Sequence, residues 1–150
     1  MATLSFTIND TQVKKRLSKL AGGIKDFRVP FKNAEKRLMP YFQETVFESQ
    51  GRVLGESWRA LAESTLRARA ARSGYYRAPP IATGKILIWT GRLQKGFRSD
   101  IERRSLRIFN QVPYFKYHQR GQRKMLAINK SVTLMVQAEI EKYVQRLLTK

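Results

Sequence analysis

The sequence predicts an α+β fold, in which a small antiparallel sheet with a β-hairpin packs against two longer helices beside a long exposed loop. Three observations predict this class. Apolar residues recur at helical spacing in residues 30–50 and 131–147. Apolar and polar residues alternate on both sides of a turn at residues 102–105. Residues 73–84 are rich in Gly, Pro and Tyr, which is typical of a loop.

The first segment combines a strand pattern with a helix pattern. In residues 3–9, Leu4, Phe6 and Ile8 alternate with polar residues, so a half-buried strand is expected. Asp10 or Thr11 can cap a short helix that ends at the Gly pair 22–23.

The next helix is expected to start near Pro30, because proline is favoured in a first turn. Its apolar stripe includes Phe31, Leu38 and Phe42, and the helix is expected to end near Gly51. Pro40 lies inside the stripe and lacks a backbone N–H, so it should kink or split the helix.

The middle of the chain carries a short helix and the exposed loop. Ser64 or Thr65 is a plausible N-cap for a helix that ends at residue 71 or 72. Interleaved Arg and Tyr in and before the loop could bind nucleic acid or a neighbouring subunit, or they could belong to a flexible basic loop with no tight partner. The candidate residues for such an interface are Arg69, Arg72, Tyr75, Tyr76 and Arg77.

The remaining elements follow from short patterns. Residues 86–89 are apolar on both faces and predict either a buried strand or one turn of buried helix. Residues 98–110 predict the hairpin, with one buried and one basic face. Residues 125–128 are a strand candidate. Ser131 is a plausible N-cap of a last helix, whose apolar face comprises Val132, Met135, Val136, Ile140, Tyr143, Val144 and Leu147.

The 150 residues predict a single domain, residues 1–150. The formal net charge is +19, and it favours a polyanionic partner such as nucleic acid, although a solvated basic surface or an acidic protein partner is an equal alternative. The chain has no cysteine, which excludes disulfides and thiolate metal sites. No apolar run reaches the length of a membrane span, and residues 1–10 lack the pattern of a signal peptide.

No catalytic or metal-binding set is recognisable, so neither an enzyme nor a cofactor is predicted. His118 is the only histidine, and its nearest carboxylates, Asp100 and Glu102, are a hairpin away, so a packing role is favoured. No phosphate-binding loop and no nucleophile elbow is present. If nucleic acid is bound, contact with phosphates alone is expected. The DNA-facing candidates are Arg98, Arg103, Arg104, Arg107, Arg120, Arg123 and Lys124.

Three short motifs stand in order along the chain. Trp58, Leu61 and Thr65 give W-x-x-L-x-x-x-T; Ile86, Leu87, Thr90, Gly91 and Leu93 give I-L-x-x-T-G-x-L; Tyr114, Tyr117, His118, Gln119 and Gly121 give Y-x-x-Y-H-Q-x-G. In this order they resemble the phage virion-morphogenesis family, the tail-completion and neck proteins of long-tailed phages. The resemblance covers residues 51–150. One departure is that residues 122–125 contain no proline, whereas members of the family often have a Pro-rich turn there.

The resemblance implies a structural virion protein without a cofactor, located at the head–tail neck or the tail top and in the host cytoplasm during assembly. It implies a homo-oligomeric ring of about six or twelve subunits, with six favoured. Its partners would be neighbouring neck, connector, tail-tube or sheath proteins, and duplex DNA in the channel, with no membrane. The alternative is a free, non-sequence-specific nucleic-acid-binding protein that acts through its basic surface.

Overall fold

The computed structural model describes residues 26–77, 80 and 85–149, together with the single residues 18 and 21. The strand predicted at residues 3–9 lies outside the described residues, and so does the following helix apart from Ser18 and Ala21. The helices are α1 (Arg28–Pro40), α2 (Val46–Glu48), α3 (Glu63–Ala70), α4 (Arg92–Lys95), α5 (Phe115–Arg120) and α6 (Lys130–Leu148), and the strands are β1 (Phe97–Ile101) and β2 (Leu106–Asn110). Helices with a small antiparallel hairpin confirm the α+β class.

The first long helical segment is split at the predicted proline. Helix α1 ends at Pro40, a π-helical turn occupies Tyr41–Thr45, and α2 follows directly. Because Pro40 has no N–H, the regular hydrogen-bond ladder cannot pass through it. The wider turn aims Tyr41 and Phe42 into the interior, where both are buried.

The segment then reverses at two residues with positive φ, Gln50 and Gly51. The Gly51 N–H donates to the Val46 carbonyl at 2.9 Å, and the Trp58 N–H donates to the Gln50 carbonyl at 2.7 Å. This turn therefore places Trp58 against the end of the helical segment.

The hairpin is confirmed in place and register. Strand β1 pairs antiparallel with β2, with Ile101 opposite Leu106 and Phe97 opposite Asn110. Alternation gives a face that is buried or half-buried and a face that is exposed. The exposed face carries Arg98 and Arg107, but also Asp100 and Phe109, so it is less uniformly basic than expected.

Helix α6 packs along α1 and closes the other side of the core. Its predicted apolar face is confirmed, with Val132 buried and the other members half-buried. Its N-cap is Asn129 rather than Ser131: the Asn129 Oδ1 accepts from the Val132 N–H at 2.9 Å. Glu139, 9% exposed, forms ion pairs with Arg37 of α1 and with Lys142.

The core is an aromatic cluster centred on Phe97, which is 0% exposed. Its ring lies 6.0 Å from Phe42, 6.4 Å from Phe47 and 5.9 Å from Phe115, measured between centroids. Offset and edge-on pairs at such distances add to the stabilisation from burial alone. The cluster joins the first helical segment, the hairpin and α5.

Two strand predictions are wrong. Residues 86–89 form an irregular turn with Leu87 at φ +60, which no strand or helix accommodates. Residues 125–128 have no regular secondary structure and pair with no described strand, and Ile128 is 89% exposed. Both segments were chosen for their apolar content, which here reflects burial of side chains on an irregular backbone: Ile86, Ile88 and Trp89 in the first and Met125 in the second.

The helix at residues 63–70 was predicted, but its cap was not. Its N-cap is Ala62, which has no side-chain cap, and Ser64 lies already within the first turn. Helices α4 and α5 replace segments for which no helix was expected, since four to six residues carry too little periodicity to be recognised.

We predict that Gly51→Ala destabilises the fold through a clash in the turn. Gly51 has φ +81, and a Cβ there would overlap the Trp58 ring and lie 2.8 Å from the Glu56 carbonyl oxygen. Gly55→Ala in the same turn is the control, because Gly55 also has positive φ but nothing within 4 Å of its Cβ. Urea unfolding followed by circular dichroism should show a loss for Gly51→Ala that exceeds the control by about 1–3 kcal/mol. Equal losses would mean that only backbone strain matters.

Candidate functional site

The first and third motifs meet through hydrogen bonds from side chains to backbone. The Trp58 Nε1 donates to the Lys124 carbonyl at 2.7 Å, and the Trp58 ring lies edge-on to Phe47 with centroids 5.4 Å apart. Trp58 is 5% exposed. It therefore fixes the start of the extended segment 123–129 to the core.

Gln119 holds the same segment from the other side. Its Oε1 accepts from the N–H of Met125 at 3.0 Å and of Leu126 at 3.1 Å, and its Nε2 donates to the Leu126 carbonyl. The carboxamide thus replaces the strand partner that residues 125–126 lack. Met125 is consequently held in the core at 0% exposure.

Arg123 closes the junction and is engaged there. Its Nε and Nη2 donate to the Arg59 carbonyl at 3.3 and 3.2 Å, and Nη2 also donates to the Ala60 carbonyl at 3.3 Å. The guanidinium of this DNA-facing candidate therefore bonds to backbone carbonyls of the chain itself. We call the assembly of Trp58, Gln119 and Arg123 with their acceptors the motif junction.

A surface groove of about 680 Å³ opens at the motif junction. Leu61 and Thr65 of the first motif line it, opposite Tyr117, His118 and Gly121 of the third. His118 is half-buried, and its pKa is lowered because burial disfavours the imidazolium and Arg123 repels it. The groove therefore presents a neutral imidazole beside basic side chains.

The second motif, residues 86–93, lies shortly before β1 and includes the start of α4. Gly91 has φ +71 at the N-cap of α4, and Leu93 is buried. The Leu93 carbonyl accepts from the Asn110 Nδ2 at 2.7 Å, which ties α4 to β2. Thr90 and Leu93 line a small cavity together with Tyr114 of the third motif, so the second and third motifs adjoin one cavity.

Arg69 does not lie on the exposed loop surface, contrary to its selection as an interface residue. It is 7% exposed, and its Nη1 donates to the Lys85 carbonyl at 2.9 Å. Its guanidinium lies 5.3 Å from the ring centroids of both Tyr76 and Trp89. The cation–π contacts explain how a charged residue is accommodated here, and they also remove Tyr76 from the free surface.

The other loop candidates are accessible. Arg72, Tyr75 and Arg77 are exposed, and Tyr75 is 99% exposed. Residues 74–76 form a 3₁₀ turn that directs Tyr75 and Tyr76 to opposite environments. A surface formed by residues 72, 75 and 77 is thus available to a partner.

The basic hairpin candidates also differ among themselves. The Arg98 Nη1 donates to the carbonyls of Lys95 and Phe97 at 2.8 and 2.7 Å, so this guanidinium is held by its own backbone. Arg103, Arg104 and Arg107 are exposed and form no ion pair with any described residue. Arg120, the last residue of α5, is exposed, and so is Lys124, four residues further along the chain.

Residues 26–77 and 85–149 contain no group of three His, Asp or Glu side chains that could hold a metal ion. Within the same part of the chain, no helix is long and apolar enough to cross a membrane.

Several residues that build the site were not predicted from the sequence. Asn129 caps α6 and also donates to the Tyr41 Oη at 3.0 Å, and Asn110 links β2 to α4. The only signal for Asn129 is its place three residues before Val132, where the apolar-periodic run begins, and Ser131 lies closer to that run. Nothing local in the sequence marks Asn110 or the partners of Arg123.

Comparison of the chain with protein-family models, with curated proteins and with solved structures found no match.

We predict that Gln119→Leu loosens the segment 125–126. Leucine fills a similar volume but leaves the N–H groups of Met125 and Leu126 without their acceptor, so a loss of about 1–3 kcal/mol in unfolding free energy is expected. Hydrogen exchange should accelerate at these two amides first. Gln122→Leu, at an exposed position of the following turn, is the matched control and should change neither quantity.

We predict that His118 makes the fold less stable below about pH 6.5. Its folded pKa is lowered, so the unfolded chain binds the proton more readily, and stability is lost as pH falls from the unfolded through the folded pKa. Urea unfolding at about pH 7.5 and about pH 5.5 should show a larger loss for the natural chain than for His118→Gln, which cannot titrate. His118 is the only histidine, so an identical loss in both chains would contradict the prediction.

Proposed function

We propose that this chain is a structural subunit of a long-tailed phage virion, which forms a ring at the head–tail interface or at the top of the tail. The observation that carries the proposal is that the first and third of the motifs that resemble the virion-morphogenesis family hold the same backbone segment. Trp58 and Gln119 both act on the segment 124–126 through backbone contacts. Such use of motif residues supports a shape-determining role rather than a catalytic one.

The exposed loop residues supply a surface for a neighbouring subunit. Tyr75 is 99% exposed, and an aromatic ring in that position gains more from burial in an interface than from solvent. Arg72 and Arg77 flank it and are exposed. Together they would meet an acidic or aromatic patch on the next chain.

The basic hairpin supplies contacts to DNA phosphate. Arg103, Arg104 and Arg107 are accessible and lie on one hairpin. In a ring around a channel, guanidinium groups in this position would contact passing DNA without reading its sequence. A net charge of +19 supports a polyanionic partner of this kind.

We predict that the purified chain forms particles of about six or twelve subunits, seen by mass photometry and electron microscopy as rings. Tyr75→Ala should weaken the assembly by at least about tenfold in concentration, because a central aromatic contact is removed. Leu134→Ala is the control, since Leu134 is an exposed apolar residue (53%) of α6 that belongs to no motif. A strictly monomeric natural chain, also in tail lysates, would contradict the proposal.

A salt titration distinguishes the alternative, a free nucleic-acid-binding protein, which the net charge also favours. Free binding to duplex DNA that weakens steeply with the logarithm of salt concentration supports this alternative. Negligible duplex binding together with co-purification of tail or portal components supports the virion subunit.

A further inference from the structure

Among the described residues the sheet has two strands, and the outer edge of β2 adjoins an apolar groove. The groove has a volume of about 930 Å³ and lies between β2 and residues 126–128. Its floor is formed by Leu38 and Phe42 of the first helical segment and by Val136 and Ile140 of α6. A groove this apolar is unusual on a chain of such high charge and indicates a specific occupant.

The outer edge of β2 has backbone N–H and C=O groups that could pair with another strand. The Glu102 N–H donates to the Ser105 carbonyl, and the Gln111 N–H donates to the Gly96 carbonyl. Because bonded and non-bonded pairs alternate in an antiparallel ladder, the N–H and C=O groups of Leu106 and Ile108 point away from β1. These groups form no backbone hydrogen bond with another described residue.

The opposite wall of the groove is formed by residues 126–128, which pair with no described strand. The backbone of Leu126 is bonded to Gln119, and Ile128 is 89% exposed. An added strand next to β2 would cover the apolar floor and lie against this wall. It would also satisfy the open edge, which soluble proteins otherwise protect.

We propose that residues 3–9 of the same chain occupy this groove as a third strand of the sheet. Their alternation places Leu4, Phe6 and Ile8 on one face, as an apolar floor on one side and solvent on the other require. Residues 1–9 contain no charged side chain. The segment thus has the alternation of apolar and polar residues, and the absence of charged side chains, that suit a strand in this groove.

The attachment of Phe27 to the hairpin turn supports docking within one molecule. The Phe27 N–H donates to the Arg103 carbonyl at 2.8 Å, so the chain joins the body at the hairpin turn. Arg104 and Ser105, next to that carbonyl, line the groove. Residues 10–25 would span about 24 Å even if fully helical, while β2 is only about 17 Å long, so residues 3–9 can reach the groove from their own attachment point.

Site-resolved hydrogen exchange by NMR on the full chain tests the proposal. The amides of Leu106 and Ile108 should be protected, although no described residue accepts from them. The amides of Arg107 and Phe109, which face Asp100 and Arg98 of β1, report on the hairpin itself. In the natural chain, rapid exchange at Leu106 and Ile108 together with protection at Arg107 and Phe109 would by itself overturn the proposal.

A pair of variants checks that residues 3–9 provide the protection. Phe6→Asp puts a charge on the apolar face of the segment and should reduce protection at Leu106 and Ile108 by at least about tenfold. Ser5→Asp puts the same charge on the opposite face and should leave it unchanged. Equal effects of the two variants, or none, would overturn the assignment to this segment.

Mixing identifies the source of the strand. An isotope-labelled Phe6→Asp chain is combined with an excess of the unlabelled natural chain. If the segment docks on its own molecule, Leu106 and Ile108 of the labelled chain continue to exchange rapidly. Restored protection would assign the strand to a second copy and overturn docking within one molecule.

Discussion

The burial of Phe97 is the contact on which the rest of the structure depends. It is the first residue of β1, it is 0% exposed, and its ring meets Phe42, Phe47 and Phe115. A two-stranded hairpin alone is marginal in water, so its stability comes from this attachment to the helices. The same ring positions α5, and α5 in turn carries the third motif.

A small sheet pairs few backbone N–H and C=O groups, and polar side chains bond to many of the others. Gln119 bonds to residues 125 and 126, Arg123 to residues 59 and 60, and Asn129 to Val53 and the start of α6. Buried backbone groups must be paired somewhere. The irregular segments are thus ordered by a few amide and guanidinium groups, and loss of one such group affects a whole segment.

The parts of the fold that were predictable are those with a repeated pattern. The hairpin and the apolar faces of α1 and α6 follow from period two and period 3.6. The wrong predictions at residues 86–89 and 125–128 share a cause. A run of four apolar residues has the same pattern whether it forms a strand or an irregular segment with buried side chains. Gln119 was selected within its motif, but its acceptors lie on a segment whose path only the folded chain defines. Arg69 was misplaced because sequence carries no sign of the Tyr76 and Trp89 rings that enclose its guanidinium.

Charge sets a further condition on the proposed ring. Each chain carries a formal net charge of +19, and identical chains side by side repel one another. At physiological salt the screening length is about 8 Å, so exposed arginines of neighbouring subunits interact little unless they lie close together. Groups such as Arg72 and Arg77 at an interface would be that close, and burying them requires anionic partners. In the proposed assembly, acidic side chains of the next subunit therefore lie against these two arginines and offset their charge.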